Sequence, residues 1–483
     1  MANLFILRRK PKKKYRFYRY IVLIVKTFPI FFNLHYGFVH ILPLLKSDPA
    51  YPVILYLWKI LAFQLSVRAL SCGAMSTYYI LGLGVTGRAV AACLLDRSFD
   101  VVGIEKSPGE HLSPLISKGL KISSENDPIA FTPHDTLVIS PGISDSHPII
   151  KMAQLKQVKI ITEMELAFQA SNRPLIGITG TNGKTTTTLL VAHVLNQLGH
   201  PAEALGNIGE PLILHTESEA IGVLELSSYQ LERLRTPKLK AACILNITPD
   251  HLERHKTMEA YARAKFNIQA LLEEKGRFIV QAHVAEEFKS LMPQNALLFS
   301  EMDERFSHVK EGFEKENLIA AFLLTEIFGI SEREFLEAAS SFKKPPHRLE
   351  WVDIIKDADF WNDSKGTNLD ATLKAVKSMK GPVILIVGGV DKGHPYHIWK
   401  SGFEGAVKLV IGLGEAKNKI KKDLSGQYPF QEVATLKEAV DVALKASSPG
   451  DQVLLSPGCA SFDMFKNYEA RGDEFKSLVR SLK

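Results

Sequence analysis

Gly177-Ile178-Thr179-Gly180-Thr181-Asn182-Gly183-Lys184-Thr185-Thr186 follows the strand-like run Pro174 to Thr179 and opens into a helix-like stretch, Thr186 to Leu198. The arrangement suits a phosphate cradle. Gly180 and Gly183 let successive backbone N–H groups turn toward an anion, and the following helix adds its positive end. Lys184 is then spaced to reach the outer phosphates and Thr185 to bind Mg²⁺. The general pattern has glycine six residues before the lysine, where this chain has Ile178, so the loop fits the narrower form Gly-Thr-Asn-Gly-Lys-Thr-Thr.

The 483 residues are enough for about three domains of ordinary size. An apolar fraction of 46% with 23% charged residues is that of a globular protein. The net charge of +7 comes from the amino-terminal end, where residues 1–74 hold 12 Lys or Arg against the single acid Asp48. The remaining 47 basic and 51 acidic residues balance at −4, which argues against a nucleic-acid partner. Cys72, Cys93, Cys243 and Cys459 show no Cys-x-x-Cys spacing, so neither a disulfide framework nor a thiolate zinc site is suggested, in keeping with a reducing cytoplasm.

Residues 1–74 stand apart. The basic run from Arg8 is followed by apolar aromatic stretches, Tyr20 to Phe38 and Tyr51 to Leu65. Lys26, Pro29 and His35 interrupt the first, against a signal peptide. A membrane anchor needs about 20 predominantly apolar residues, which the first stretch nearly supplies. The reading adopted is that residues 1–74 are an extension from an upstream start, that the protein proper begins at Met75, and that membrane association arises only if the extension is made.

From Tyr78 onward β-rich runs alternate with amphipathic stretches, the pattern of α/β domains with mainly parallel sheets. The expected division is a Rossmann-like domain over 75–170, a central P-loop domain over 171–343 and a second Rossmann-like domain over 344–483. The first opens with strand Tyr78 to Leu81, the turn Gly82-Leu-Gly84-Val85-Thr86-Gly87, a helix over Arg88 to Leu95 and strand Val101 to Glu105, a dinucleotide-type fingerprint. By itself it says only that a phosphate or diphosphate can sit at the helix start. In the central block, Val223-Leu-Glu225 puts a carboxylate at the end of a buried-looking strand, where a P-loop enzyme needs a second Mg²⁺ ligand. Asp250-His251 ends another strand, and Lys265 lies 14 residues later. Taken singly, neither His251 nor Lys265 would indicate a site.

Seven motifs in order carry a resemblance: the P-loop, Gly206-Asn207-Ile-Gly209, Leu-Glu225-Leu-Ser-Ser, Asn246-Ile-Thr-Pro-Asp-His251, Pro346-His-Arg348, Asn362-Asp363-Ser-Lys365 and Ser456-Pro-Gly-Cys-Ala-Ser461. From about Tyr78 to its end the chain resembles the Mur ligase family. The resemblance implies an ATP-dependent amide ligase of peptidoglycan-precursor synthesis, cytoplasmic and monomeric, that phosphorylates an acceptor carboxylate and passes the acyl group to an amino acid. Within the family it points to UDP-N-acetylmuramoyl-L-alanine as acceptor and D-glutamate as the incoming amine. It implies catalytic roles for Lys184, His251, Lys265 and Lys365. Two Mg²⁺ sites would draw on Thr185, Glu225, His251 and Lys265, the last as a carbamylated lysine.

For ATP, the resemblance adds Asn317, Arg348 and Asp363 to the loop residues Gly180 through Thr186. Glu314 stands where the family has an amide, and the stretch from His283 to Lys310 is short, so the central domain is expected to lack a small peripheral sheet. The uridine-diphosphate side would fall to Val85, Thr86, Glu105, Ser140, Gly142 and Asn207, with Glu105 in place of the more familiar aspartate. D-glutamate would meet Thr367, Lys392, Ser461 and Tyr468, the last commonly a phenylalanine. Asp391, adjacent to Lys392, receives no role. Other amide ligases of the superfamily, including folylpolyglutamate synthases, are disfavoured by the Asn-Asp-Ser-Lys365 and Ser-Pro-Gly-Cys-Ala-Ser461 pair and by the diphosphate turn of the first domain. A non-catalytic nucleotide-binding protein would need a defective acceptor site, and an oxidoreductase would leave the P-loop without a role.

Overall fold

The computed structural model describes residues 76–483 apart from Pro108, Pro141, residues 310–312 and Lys392, and apart from the side chains of Phe313 and Glu314. The expectations for residues 1–74, for the start at Met75 and for Lys392 and the Glu314 side chain lie outside the described residues.

Three sheets follow one another along the chain. The first holds β1 (Thr77–Leu81), β2 (Asp100–Ile104), β3 (Lys121–Ser123), β4 (Thr136–Ile139) and β5 (Lys159–Thr162) in the order β3-β2-β1-β4-β5, all parallel. The second holds β6 (Leu175–Thr179), β7 (Ala202–Gly206), β8 (Ile221–Glu225), β9 (Leu239–Ile244), β10 (Leu272–Gln281) and β11 (Leu297–Phe299) in the order β11-β10-β9-β6-β8-β7, again all parallel. The third holds β12 (Glu350–Ile355), β13 (Ala358–Asn362), β14 (Val383–Gly388), β15 (Val407–Leu413), β16 (Phe430–Glu432) and β17 (Gln452–Leu455) in the order β12-β13-β17-β14-β15-β16. Only the β12–β13 pair is antiparallel. Among the described residues the central stretch forms a single sheet, without a small peripheral one.

The strand sequences explain the parallel layers. Val383 to Val387 in β14 and Leu175 to Thr179 in β6 are buried at every position, as strands covered by helices on both faces must be. On one face of the central sheet the helix Lys184–Gln197 packs through Leu190, Val191, Val194 and Leu195 against Ile319 to Leu324 of the helix Phe313–Thr325. This packing overrides the poor helix propensity of the four threonines 185–188.

Two helices start earlier than the sequence suggests. Lys184 is the first residue of its helix, with Gly183 as left-handed N-cap at φ +83°. The helix expected from Arg88 begins at Val85. Val85, Thr86 and Gly87 are therefore helical, and Gly87 is required because a Cβ there would run into the Gly82 carbonyl. Close approach of turn and helix fixes this end of the first sheet.

The first two sheets share one apolar core. Met164, Ala167 and Phe168, from the helix Glu163–Ala170 at the end of the first domain, join Leu205, Leu212 and Ile213 of the second. Polar contacts cross the same boundary. Glu165 accepts from Arg235 N at 2.8 Å and from Thr236 Oγ1 at 2.6 Å. Among the described residues, nearby Glu163 is equally buried but accepts only a long bond from Ile213 N at 3.4 Å, and burial lifts its carboxyl to about 7.

A folded value of about 7 against the ordinary 4.5 means that the unfolded chain gives up this proton first as pH rises. Stability tied to Glu163 is thus complete below pH 4.5 and is lost between there and pH 7. Glu163→Gln keeps the shape and removes the titration. In urea unfolding it is expected to stabilise by about 3 kcal/mol at pH 8, at about 1.4 kcal/mol per pH unit, and to change little at pH 4.5. An equal effect at both pH values contradicts the assignment.

Candidate active site

In open parallel sheets ligands sit at the carboxyl ends of strands, where the strand order reverses. In the central sheet that place lies around β6, with β8 on one side and β9 on the other. The loop after β6 is the P-loop, β8 ends at Glu225, and the loop after β9 runs through Asn246 to His251. Residues far apart in sequence meet there because of the topology.

Gly180, at φ +155°, and Gly183 shape the loop. Thr181 N donates to Asn246 O at 2.9 Å, and Thr181 Oγ1 donates to Thr248 O at 3.1 Å and lies 3.2 Å from Tyr261 Oη. Asn246 clamps the next residue by its amide, with Asn182 N donating to Asn246 Oδ1 at 2.8 Å and Asn246 Nδ2 donating to Asn182 O at 3.0 Å. Lys184 Nζ folds back over the loop, donating to the carbonyls of Gly180 and Thr181, both at 2.7 Å. Thr185 Oγ1 donates to Glu225 Oε2 at 2.7 Å, and Asn207 Nδ2 donates to Glu225 Oε1 at 2.9 Å. Asn207, which the resemblance assigns to the sugar-diphosphate side, thus also holds the Glu225 carboxylate. Thr186 is half-buried in the first helical turn.

Lys265 projects from the helix Met258–Phe266 into this loop. Its side chain is only 1% exposed, Nζ donates to Gly180 O at 2.8 Å, and it lies 4.5 Å from the centre of the Tyr261 ring. Burial first, and the charge of Lys184 second, hold the Lys265 amine well below the ordinary lysine range. His251 adopts a left-handed backbone, φ +54°, as N-cap of the short helix Leu252–His255. Its Nδ1 lies 2.9 Å from Tyr229 Oη, and its Nε2 is 3.6 Å from Asp250 Oδ2. On the other side of the P-loop helix, Thr187 Oγ1 donates to Asn317 Oδ1 at 3.3 Å. Asn317 Nδ2 is buried with no hydrogen-bond partner among the described residues, so it keeps a donor for a ligand.

The third domain supplies Arg348 and Lys365. Burial lowers the Arg348 guanidinium somewhat, offset by the carboxylates of Glu225 and Asp363. Lys365 Nζ stands 4.1 Å over the Tyr468 ring, a cation–π contact that uses the ring face. Burial, then the neighbouring Arg348, push Lys365 down to about 8, with Glu225 opposing and Lys184 adding to the fall. Asp363 is buried, accepting from Ser456 Oγ at 2.7 Å and Leu349 N at 3.3 Å, and burial raises it to about 7. Thr367 is half-buried beyond Lys365, and Ser461 is buried in the loop after β17.

Sequence reasoning missed Arg471. Buried in the carboxyl-terminal helix Tyr468–Arg480, it donates Nε to Ser364 Oγ at 3.0 Å, and Nη2 to Ser364 O at 2.9 Å and Cys459 O at 3.2 Å. It ties the loop carrying Lys365 to the loop carrying Ser461. The neighbouring Gly472, a glycine inside a helix, was the available signal of close approach: a Cβ there would collide with His347. Asp391 also has a place, accepting from Lys419 Nζ at 3.0 Å and Tyr396 Oη at 3.1 Å.

A second group lies at the reversal point of the first sheet, between β1 and β4. Leu83 N, in the glycine turn, donates to Glu105 Oε2 at 2.7 Å, so Glu105 braces the turn itself. Val85 is 68% exposed at the helix start, Thr86 is half-buried beside it, and Ser140 and Gly142 follow β4.

Three family models match consecutive parts of the chain: a Mur ligase MurD-like N-terminal domain over residues 76–162, a Mur ligase middle domain over 178–321 and a Mur ligase glutamate ligase domain over 347–459. A UDP-N-acetylmuramoylalanine–D-glutamate ligase of Protochlamydia amoebophila is 44% identical over 432 residues, 83% of this chain and 97% of that protein. Proteins of the same name from Caldicellulosiruptor bescii and Chlamydia caviae are each 38% identical, over 83% of this chain and 97% and 96% of their own lengths. Among solved structures, the MurF ligase of Thermotoga maritima in complex with ADP aligns over 79% of this chain and 96% of its own at a TM-score of 0.55 and 15% identity. The UDP-N-acetylmuramate–alanine ligase MurC of the same organism aligns over 85% and 100% at 0.53 and 18%. These two show the fold, three mostly parallel α/β domains, and the sequence relatives show the family: the chain belongs to the Mur ligases.

Proposed function

We propose that the chain is the ATP-dependent ligase that joins D-glutamate to UDP-N-acetylmuramoyl-L-alanine. The observation that carries this reading is the 44% identity over 432 residues, 83% of this chain and 97% of a ligase of that name. The expected division of labour is by domain. Residues 75–170 hold the uridine diphosphate part, residues 171–343 hold ATP, and residues 344–483 bring the incoming amino acid. The reading places the enzyme in the cytoplasm as a monomer, and among the described residues no helix is long and apolar enough to cross a membrane.

The chemistry starts from a poor acyl donor. An acceptor carboxylate oxygen attacks the γ-phosphorus of ATP, the bond to ADP breaks, and oxide is replaced as leaving group by phosphate. The D-glutamate amine then adds to the acyl carbon, and phosphate leaves from the tetrahedral intermediate. Most of what the protein contributes is positioning and charge neutralisation. Lys184 and the loop amides bind the β and γ phosphates, Arg348 and Lys365 add positive charge from the third domain, and Asn317 Nδ2, without a hydrogen-bond partner among the described residues, is available to the nucleotide base. The paired Thr185 hydroxyl and Glu225 carboxylate are a donor set that fits Mg²⁺, which takes few protein oxygens and completes its shell with phosphates and water. Bound there, Mg²⁺ would neutralise charge on the phosphates.

Lys265 fits the second metal position once modified. Its buried amine favours the neutral form, which reacts with CO₂ to form an N–C bond and release a proton, turning a cation into an anion. The resulting carbamate and His251 would hold a second Mg²⁺. Val85, Thr86, Ser140, Gly142 and Asn207 line the acceptor side with the turn that Glu105 braces, and Asn207 also steadies Glu225. Thr367, Lys392, Ser461 and Tyr468 receive D-glutamate, Tyr468 also through its contact with Lys365.

Phosphate release is expected to require UDP-N-acetylmuramoyl-L-alanine and an amino acid together, with D-glutamate outperforming L-glutamate, meso-diaminopimelate and L-alanine. Release driven equally well by another of these amino acids refutes the assignment. Lys265→Ala is expected to cut ligation by about 100-fold or more, the scale of losing a charge-stabilising group. Partial rescue by a short carboxylic acid is expected, and full activity without rescue rules the role out.

A further inference from the structure

The P-loop residue Asn182 is held from two domains. Asn246 of the central domain grips its backbone, as described above, while its side chain turns toward the third domain. Asn182 Nδ2 donates to Asp370 Oδ2 at 2.7 Å and lies 3.5 Å from Asn368 Oδ1, and Asn368 Nδ2 donates back to Asn182 Oδ1 at 3.0 Å. Asn368 Nδ2 also reaches Asp250 Oδ2 at 3.4 Å, next to His251. Partners 186 and 188 residues apart thus meet on one loop residue.

Both third-domain groups are fixed by their own helix. Asn368 is the N-cap of Leu369–Lys377 and accepts from Ala371 N at 2.9 Å, and it is buried. Asp370 lies in the first turn, where the helix end favours an acid, and Lys374 one turn later pairs with it at 3.2 Å. Burial raises the carboxyl of Glu316, on the central-domain helix Phe313–Thr325, and the charge of Lys374 is among the influences that oppose the rise.

The placement carries a consequence for the reaction. Asn368 directly follows Thr367 and lies three residues after Lys365, so whatever fixes Asn368 on Asn182 also restrains those two residues relative to Lys184. We propose that Asn368 and Asp370 are positioning residues that dock the third domain on the P-loop through Asn182, setting the register between the phosphate cradle and the amino-acid site. The proposal rests on the ligase reading and names residues to which neither the motifs nor the family resemblance gave a role.

The test uses the full chain with ATP, UDP-N-acetylmuramoyl-L-alanine and D-glutamate, together with small-angle scattering of the ligand-free protein. Asp370→Ala is expected to lower kcat/KM for D-glutamate about 10- to 100-fold, the scale of one part-buried charge-assisted hydrogen bond, and to leave KM for ATP within about twofold. Its ligand-free radius of gyration is expected to rise above that of the wild type. Asp370→Asn keeps an acceptor oxygen and is expected to retain most activity and the wild-type scattering. Wild-type D-glutamate kinetics and scattering in Asp370→Ala overturn the proposal, as does Asp370→Asn failing as badly as Asp370→Ala. Should Asp370→Ala not fold, Lys374→Ala removes the lysine that steadies the carboxylate. A severalfold fall in the same parameter is then expected, and no fall overturns the proposal. If the wild type itself ligates no D-glutamate, the ligase reading fails, and the scattering comparison still decides the docking.

Discussion

Two lysine amines, those of Lys184 and Lys265, converge on the single carbonyl of Gly180 at 2.7 and 2.8 Å. Burial of the Lys265 amine first, and the like charge of Lys184 second, drive it well below its ordinary range. The glycine loop makes this convergence possible. At φ +155°, Gly180 aims its carbonyl where neither an alanine nor a β-branched residue would comfortably aim it, and the helix Met258–Phe266 brings Lys265 in from behind. A site that gathers Lys184, Lys265, Lys365 and Arg348 around Glu225 and Asp250 is organised to receive a polyanion. The lowered values of Lys265 and Lys365 are the physical trace of that organisation.

The rest of the molecule brings the second half of the site to that loop. The central sheet places Glu225 and His251 on either side of the P-loop because β8 and β9 flank β6. The third sheet sends its carboxyl-end loops to the same place, and buried Arg471 locks two of them to each other through Ser364 and Cys459. The first sheet is fused to the second by a shared apolar core and by Glu165, so the two behave as one platform across which the third domain is set.

Much of this was legible in the sequence, for physical reasons that differ by residue. The P-loop declares itself because glycine spacing, lysine and threonine each meet a separate geometric demand. Glu225 was legible because a carboxylate ending a run of buried apolar residues is costly without a purpose. Lys265 could be placed only through its resemblance to a family, since a lysine in a helix usually reads as a solvated charge. Asn246 stood in a quoted motif, but its clamp on Asn182 was not foreseen, and Asn368 and Asp370 act through side-chain bonds between segments remote in sequence, which no local pattern encodes. Arg471 looks like one more surface cation until the third sheet folds around it. The additional tie of Asn207 to Glu225 became visible only when β7 and β8 were paired side by side. The helix starts at Val85 and Lys184 were displaced because each cap is a glycine, which carries no side-chain signal.

The central claim is that this cluster of positive charge serves to activate a carboxylate by phosphorylation before an amine attacks it. Isotope transfer tests that most directly. With the alanyl carboxylate of UDP-N-acetylmuramoyl-L-alanine labelled with oxygen-18, turnover with ATP and D-glutamate is expected to deliver one labelled oxygen to each phosphate released. Unlabelled phosphate formed alongside the amide product would contradict it.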